Sequence, residues 1–184
     1  MTNIKFYGLG GQGVVTAAKT LSIAVSIYED KYAVTIPAYG HERRGAPVYT
    51  DIRIDSEPLL ANCFVYEPDI VLVMDETIKE KHIDISKGKH NDTVLVINTA
   101  DKCVAESYKN LYDFKEVYYV DATHCAIKNI GLDIPNGSML GALANTGMVA
   151  INSIEEALKD TFGEKAGASN AKAAREAYGK TQKI

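Results

Sequence analysis

The chain has 184 residues, 46% hydrophobic and 24% charged, long enough to bury a substantial core and too apolar for a disordered chain. Its net charge of −4 excludes a general electrostatic attraction to nucleic acid or to anionic membranes. No apolar run reaches the ~18 residues of a membrane span, and the first residues enter a strand pattern without a secretory signal, so a single domain over residues 1–184 in the cytoplasm is expected.

Residues 4–7 read as a short strand, and the loop Gly8-Leu9-Gly10-Gly11-Gln12-Gly13 follows. Residues 14–28 predict an amphipathic helix, because Val14, Ala17, Leu21, Ala24 and Tyr28 recur every three to four positions. Residues 32–36 read as a second, buried strand. Residues 37–47 break the pattern and read as a loop, with Pro37, Gly40, Gly45 and Pro47 around the charged run His41-Glu42-Arg43-Arg44. Residues 48–54 alternate as a half-exposed strand does, and Asp55-Ser56-Glu57-Pro58 supplies a turn.

Residues 69–75 form a core strand pattern. Thr77 and Glu80 have capping-box spacing, which predicts a short helix. Residues 93–98 are another core strand, a helix pattern passes through Cys103, Val104 and Tyr108, and residues 117–121 read as the last strand. Strands alternating with helices predict an α/β fold with a mostly parallel, Rossmann-like sheet covered on both faces. From Ile134 the chain is mainly helical. Residues 136–151 carry Gly137, Gly141 and Gly147, which suit close packing against either a partner subunit or the chain's own sheet. A helix over residues 154–162 follows, then one over 171–178, with Ser169 or Asn170 as its N-cap and Gly179 ending it.

Two loops carry chemistry. A G-x-G-x-x-G run between a strand and a helix allows close backbone approach and aims helix N–H groups at an anion. An NAD site also expects an acid near the end of the second strand, whereas here the first acid is Glu42, beyond a proline and a glycine. That discounts NAD, and glycines serving packing alone stay an alternative. Arg43 and Arg44 belong to a loop that sheet topology places on the same edge, where guanidinium groups suit phosphate or carboxylate; pairing with Glu42 or with a partner protein is the other reading.

Cys63, Cys103 and Cys125 are dispersed and read as incidental thiols, and the four histidines do not cluster at metal spacing. Asp121, His124 and Cys125 do not make a convincing nucleophilic site, and Asp75 and Asp121 fit helix caps better than catalysis. No metal site and no catalytic residue are expected on this chain.

The run Phe6-Tyr7-Gly8-Leu9-Gly10-Gly11-Gln12-Gly13-Val14 resembles the opening of the gamma subunit of pyruvate and related 2-oxoacid:ferredoxin oxidoreductases. Tyr39-Gly40-His41-Glu42-Arg43-Arg44-Gly45-Ala46-Pro47 resembles that family's second signature. Similar stretches continue in order at residues 68–76, at Val120-Asp121-Ala122-Thr123, at Asn136 with Met139-Leu140-Gly141-Ala142-Leu143, and at Asn170-Ala171-Lys172-Ala173-Ala174 with Gly179. Leu9 and His41 depart from the commoner residues.

The resemblance implies a complex that converts a 2-oxoacid and coenzyme A to acyl-CoA and carbon dioxide, with ferredoxin or another acceptor taking the electrons. It implies alpha, beta and delta type partner subunits, which carry the thiamine diphosphate and the four-iron four-sulfur clusters. This chain then holds no cofactor alone and shares coenzyme A as substrate, through Gly10, Gly11, Gln12, Gly13, Arg43 and Arg44. The Ala46-Pro47 form of the second loop is the more pyruvate-like. Alternatives are a stand-alone nucleotide-binding module, which binds NAD or FAD by itself, and a purely structural subunit of an aryl-glyoxylate or other 2-oxoacid oxidoreductase, whose arginines serve assembly alone.

Overall fold

A computed structural model describes residues 1–38, 44–60 and 62–184. Strand β1 (Thr2–Leu9) leads through the glycine loop into helix α1 (Val14–Tyr28), then β2 (Tyr32–Ala38) and β3 (Pro47–Asp55). The chain continues through β4 (Ile70–Val73), a 3-10 helix (Glu76–Lys81), β5 (Val94–Asn98), α2 (Lys102–Tyr112), β6 (Glu116–Val120) and α3 (Ala122–Ile130). It ends with α4 (Asn136–Ala144), α5 (Ile151–Lys180) and β7 (Gln182–Lys183).

The strands form one sheet in the order β2-β3-β1-β4-β5-β6-β7. The centre, β1-β4-β5-β6, is parallel, as alternating strands and helices require. β3 runs antiparallel to both β1 and β2, so β2 points the same way as the centre. β7 adds an antiparallel edge after β6, where residues 117–121 had been expected to end the sheet; two residues are too few for a readable strand pattern. Ile4, Phe6, Leu72 and Val96 face a core shared with α1, α3, α4 and α5. Tyr7, Val73 and Ile97 face a second core under the 3-10 helix and α2. The sheet is therefore covered on both faces.

α1 has the expected bounds and buries Val14, Ala17, Leu21 and Ala24, but Tyr28 is exposed and donates its hydroxyl proton to Asp160 at 2.6 Å. The loop expected over residues 37–47 is shorter. Pro37 lies inside β2, an edge strand where a missing N–H is tolerated, and Pro47 starts β3. The helix expected from a Thr77 cap is a 3-10 turn capped by Asp75, whose carboxylate accepts from the Thr77 amide at 2.9 Å.

The glycine-bearing helix stops at Ala144 and all its residues are buried inside the chain. A Cβ on Gly141 would lie 1.9 Å from the Ala174 carbonyl oxygen. The small residues therefore serve internal packing against α5 rather than a surface offered to a partner. α5 is two helices joined at Gly163, whose φ of 75° needs glycine. The chain reverses there: Arg175 donates to Glu155 at 2.6 Å through Nε, whereas a continuous helix would put them about 30 Å apart. The second arm starts well before Ser169 and Asn170. Both return bonds to carbonyls one turn back instead of capping, and Gly179 lies within the helix.

One charged pair organises the outer face of β1 and β3. Asp51 is fully buried and accepts from Lys5 Nζ and from the Val65 amide, each at 2.8 Å. Lys5 also donates to the Val65 carbonyl at 2.8 Å, so the pair clamps both backbone polar groups of Val65. This fastens the irregular segment before β4 to the sheet.

Candidate functional site

The strand order reverses direction between β1 and β4. The connection after β1 leads to β2 on one side, while the chain after β4 builds outward on the other. Open α/β sheets bind ligands at such a switch point, outside the carboxyl ends of the strands. Here that edge carries the glycine loop and the residues just before β3. The two loops are joined: the Gly10 amide donates to the Ala46 carbonyl at 2.8 Å and the Gly45 amide to the Gly10 carbonyl at 3.0 Å.

A cleft of about 760 Å³ opens beside this junction. Gly10, Gly11, Gly13, Lys19, Arg44 and Asp133 are among its walls. Gly13 is the N-cap of α1 with φ 77°, and a Cβ there would lie 2.4 Å from Asn136 Nδ2 at the start of α4. Both the backbone and the neighbour demand glycine. α1 has no side-chain cap and no acid in its first turn. Among the described residues, the amides of Gly11, Gly13, Val14, Val15 and Thr16 have no hydrogen-bond acceptor. A helix start with free amides and a partial positive charge favours an anion.

The expected residues have different local roles. The stem of Arg44 lies on Gly11, its Cγ 3.7 Å from where a Cβ would stand. Among the described residues neither Arg44 nor Lys19 has an acidic partner. Gly10 spends its amide on Ala46. Gln12 turns away from the cleft: its Oε1 accepts from the Leu9 amide at 2.8 Å and its Nε2 donates to Asp75 at 2.7 Å. It therefore staples the loop to the end of β4. Arg43 lies outside the described residues.

Lys19 and Asp133 were not singled out from the sequence. Lys19 is the only charged residue in α1, a signal available in the sequence alone. Asp133 precedes α4, more than a hundred positions after the glycine loop, and only folding brings it to the cleft.

The residues from Asp121 to Cys125 serve the fold. Asp121 caps α3 by accepting from the His124 amide at 2.8 Å, and Cys125 is buried, with burial pushing its thiol pKa up. A protonated, enclosed thiol is a poor nucleophile. Cys63 and Cys103 are exposed and no group of three or more His, Cys, Asp and Glu suited to a metal occurs among the described residues. The cysteines do not fit an iron–sulfur cluster, which needs about four thiolates together. No helix among the described residues is long and apolar enough to cross a membrane.

Residues 3–180 match the family model of pyruvate ferredoxin/flavodoxin oxidoreductase. The chain is 46% identical over 184 residues to the pyruvate/ketoisovalerate oxidoreductases common subunit gamma of Pyrococcus abyssi, covering 99% of this chain and 98% of that one. The crystal structure of pyruvate oxidoreductase subunit PORC from Thermotoga maritima superposes with a TM-score of 0.84 at 32% identity, covering 99% of this chain and 97% of that one. The fold is also found in 2-oxoglutarate:ferredoxin oxidoreductase from Magnetococcus marinus, solved with 2-oxoglutarate, coenzyme A and succinyl-CoA bound. There the TM-score is 0.73 at 20% identity, over 97% of this chain and 30% of that one.

Proposed function

This chain belongs to the pyruvate ferredoxin/flavodoxin oxidoreductase family as a gamma-type subunit, and we propose that its cleft holds the phosphates of coenzyme A for acyl transfer within the complex. The observation that carries the reading is the junction of the two loops. It puts the amides of α1 and the Arg44 guanidinium, neither with a partner among the described residues, on one cleft. Coenzyme A carries a diphosphate and a 3′-phosphate, so it needs backbone donors and fixed positive charge together. Guanidinium supplies paired donors and stays charged at any working pH.

Gly11 and Gly13 let the phosphate approach the backbone, and Arg44, with Arg43 beside it in sequence, supplies charge. Gln12 acts indirectly, by fixing the loop to Asp75. Asp133 bars phosphate from its own rim and suits the neutral, donor-bearing parts of the ligand.

The catalytic cofactors reside on alpha, beta and delta type partners, where thiamine diphosphate supplies decarboxylation and iron–sulfur clusters pass electrons to ferredoxin. The dispersed cysteines of this chain support that division. Pyruvate is the 2-oxoacid that the Ala46-Pro47 loop and the names of the relatives favour. The chain works as one domain in a cytoplasmic hetero-oligomer.

The test is kinetic, on assembled complexes carrying Arg43→Ala or Arg44→Ala. The KM for coenzyme A is expected to rise by about 10-fold or more if each arginine makes a charged hydrogen bond. Coenzyme A-independent release of carbon dioxide from the 2-oxoacid checks that the complex is assembled. An unchanged KM in both variants would sink the assignment and leave the arginine loop to subunit contacts.

A further inference from the structure

α1 is fifteen residues long, and Lys19 is its only charged side chain. A lone lysine required for solubility alone is satisfied anywhere on the solvent side. Lys19 instead shares the face of Val15 and Thr16, four and three positions before it, and that face lines the cleft. It is exposed, and among the described residues it pairs with no acid. Asp133 lines the same cleft without closing an ion pair to it.

Lys19 stands six positions after Gly13, about 9 Å along the helix axis. The loop amides and Arg44 form one positive centre, and Lys19 forms a second, more than a turn further along α1. A ligand with one phosphate cluster leaves the second centre unused. Coenzyme A has two separated anionic centres, with the ribose 3′-phosphate standing across a sugar ring from the diphosphate.

We infer that Lys19 binds the ribose 3′-phosphate and is the residue by which the cleft distinguishes coenzyme A from dephospho-coenzyme A. This rests on the cleft being the coenzyme A site. An ammonium serves here as a point charge, suited to a terminal phosphate that offers oxygens in several directions.

The experiment measures KM for coenzyme A and for dephospho-coenzyme A in the intact complex, wild type and with Lys19→Ala, Lys19→Arg or Arg44→Ala. The wild type is expected to prefer coenzyme A. Lys19→Ala is expected to raise the KM for coenzyme A by about tenfold or more, the loss of a charged hydrogen bond, while leaving that for dephospho-coenzyme A near its starting value. Lys19→Arg is expected to retain the preference, and Arg44→Ala to raise both constants. If the wild type shows no preference, or if Lys19→Ala moves both constants equally or neither, the assignment of Lys19 is overturned. In that case a rise with Arg44→Ala still upholds the cleft. If Arg44→Ala and Lys19→Ala both leave both constants unchanged, the cleft itself is the wrong site and the inference fails with it.

Discussion

Two charged regions flank β1, and they are built in opposite ways. On the outer face, Lys5 and Asp51 meet at 2.8 Å, and the remaining bonding capacity goes to the backbone of Val65. At the carboxyl edge of the same strand, Arg44 and Lys19 face an open cleft with no acidic partner among the described residues. Burying charge is costly unless it is paired and hydrogen-bonded, so the first region is closed and satisfied. The second leaves its charges and its helix amides without partners among the described residues, and so open to the cleft. Satisfied charge here marks a structural clamp, and charge without a partner among the described residues lies where we propose the ligand site.

That contrast breaks most sharply at Asp51. Replacing it by alanine strands Lys5 and frees the Val65 amide, and a loss of about 3–5 kcal/mol is expected, read by urea denaturation of the full chain. Coenzyme A kinetics in whatever complex assembles should be untouched. A stable Asp51→Ala chain would show that the pair contributes little.

Arg44→Ala is the mirror image. Coenzyme A binding should weaken by about 1.5–3 kcal/mol, while the unfolding free energy stays within about 0.5 kcal/mol because the side chain is an exposed one away from the core. Loss of stability without loss of affinity would reverse the assignment.

Gln12 sharpens the comparison because its side chain is satisfied, as in the clamp, while its backbone belongs to the loop beside the cleft. Its amide joins the loop to β4, so Gln12→Ala should cost stability by about 1–2 kcal/mol for the lost bonds. A smaller rise in the coenzyme A KM should accompany it as the loop loosens. Effects on only one of the two quantities would place Gln12 wholly in the clamp or wholly in the site.

The smallest effect concerns acid. Glu176 accepts from Lys180, Asn129 and Lys128, which hold its carboxyl down to about 2. Because the folded value is the lower one, the stabilisation is full above the ordinary glutamate range. It fades as pH falls from that range toward 2. Solvent screening keeps it to about 1 kcal/mol or less. Comparing acid unfolding of the chain with that of Glu176→Gln checks it: the substituted chain should lose that part of the acid limb.

The sequence was most readable where local rules and the fold agree. Val14, Ala17, Leu21 and Ala24 define α1, and the alternation of strands and helices defines the parallel centre. It was least readable where distant residues decide. Asp75 rather than Thr77 caps the 3-10 helix, Ser169 and Asn170 fall inside a helix because the chain reverses earlier at Gly163, and two residues at the end make an edge strand. At the cleft, the glycines and Arg44 that line it were legible from their loops. Their union depends on backbone bonds between Gly10, Gly45 and Ala46 that no periodicity reveals, and Asp133 arrives through tertiary folding alone.

Amide hydrogen exchange on the intact complex, with and without coenzyme A, tests the central claim directly. Gly11, Gly13, Val14, Val15 and Thr16 have amides without an acceptor among the described residues. Bound phosphate should accept from several of them, so coenzyme A is expected to slow exchange there, while Val65 at the Lys5–Asp51 clamp stays unchanged. Unaltered exchange through Gly11–Thr16 at saturating coenzyme A would contradict the cleft as its phosphate site.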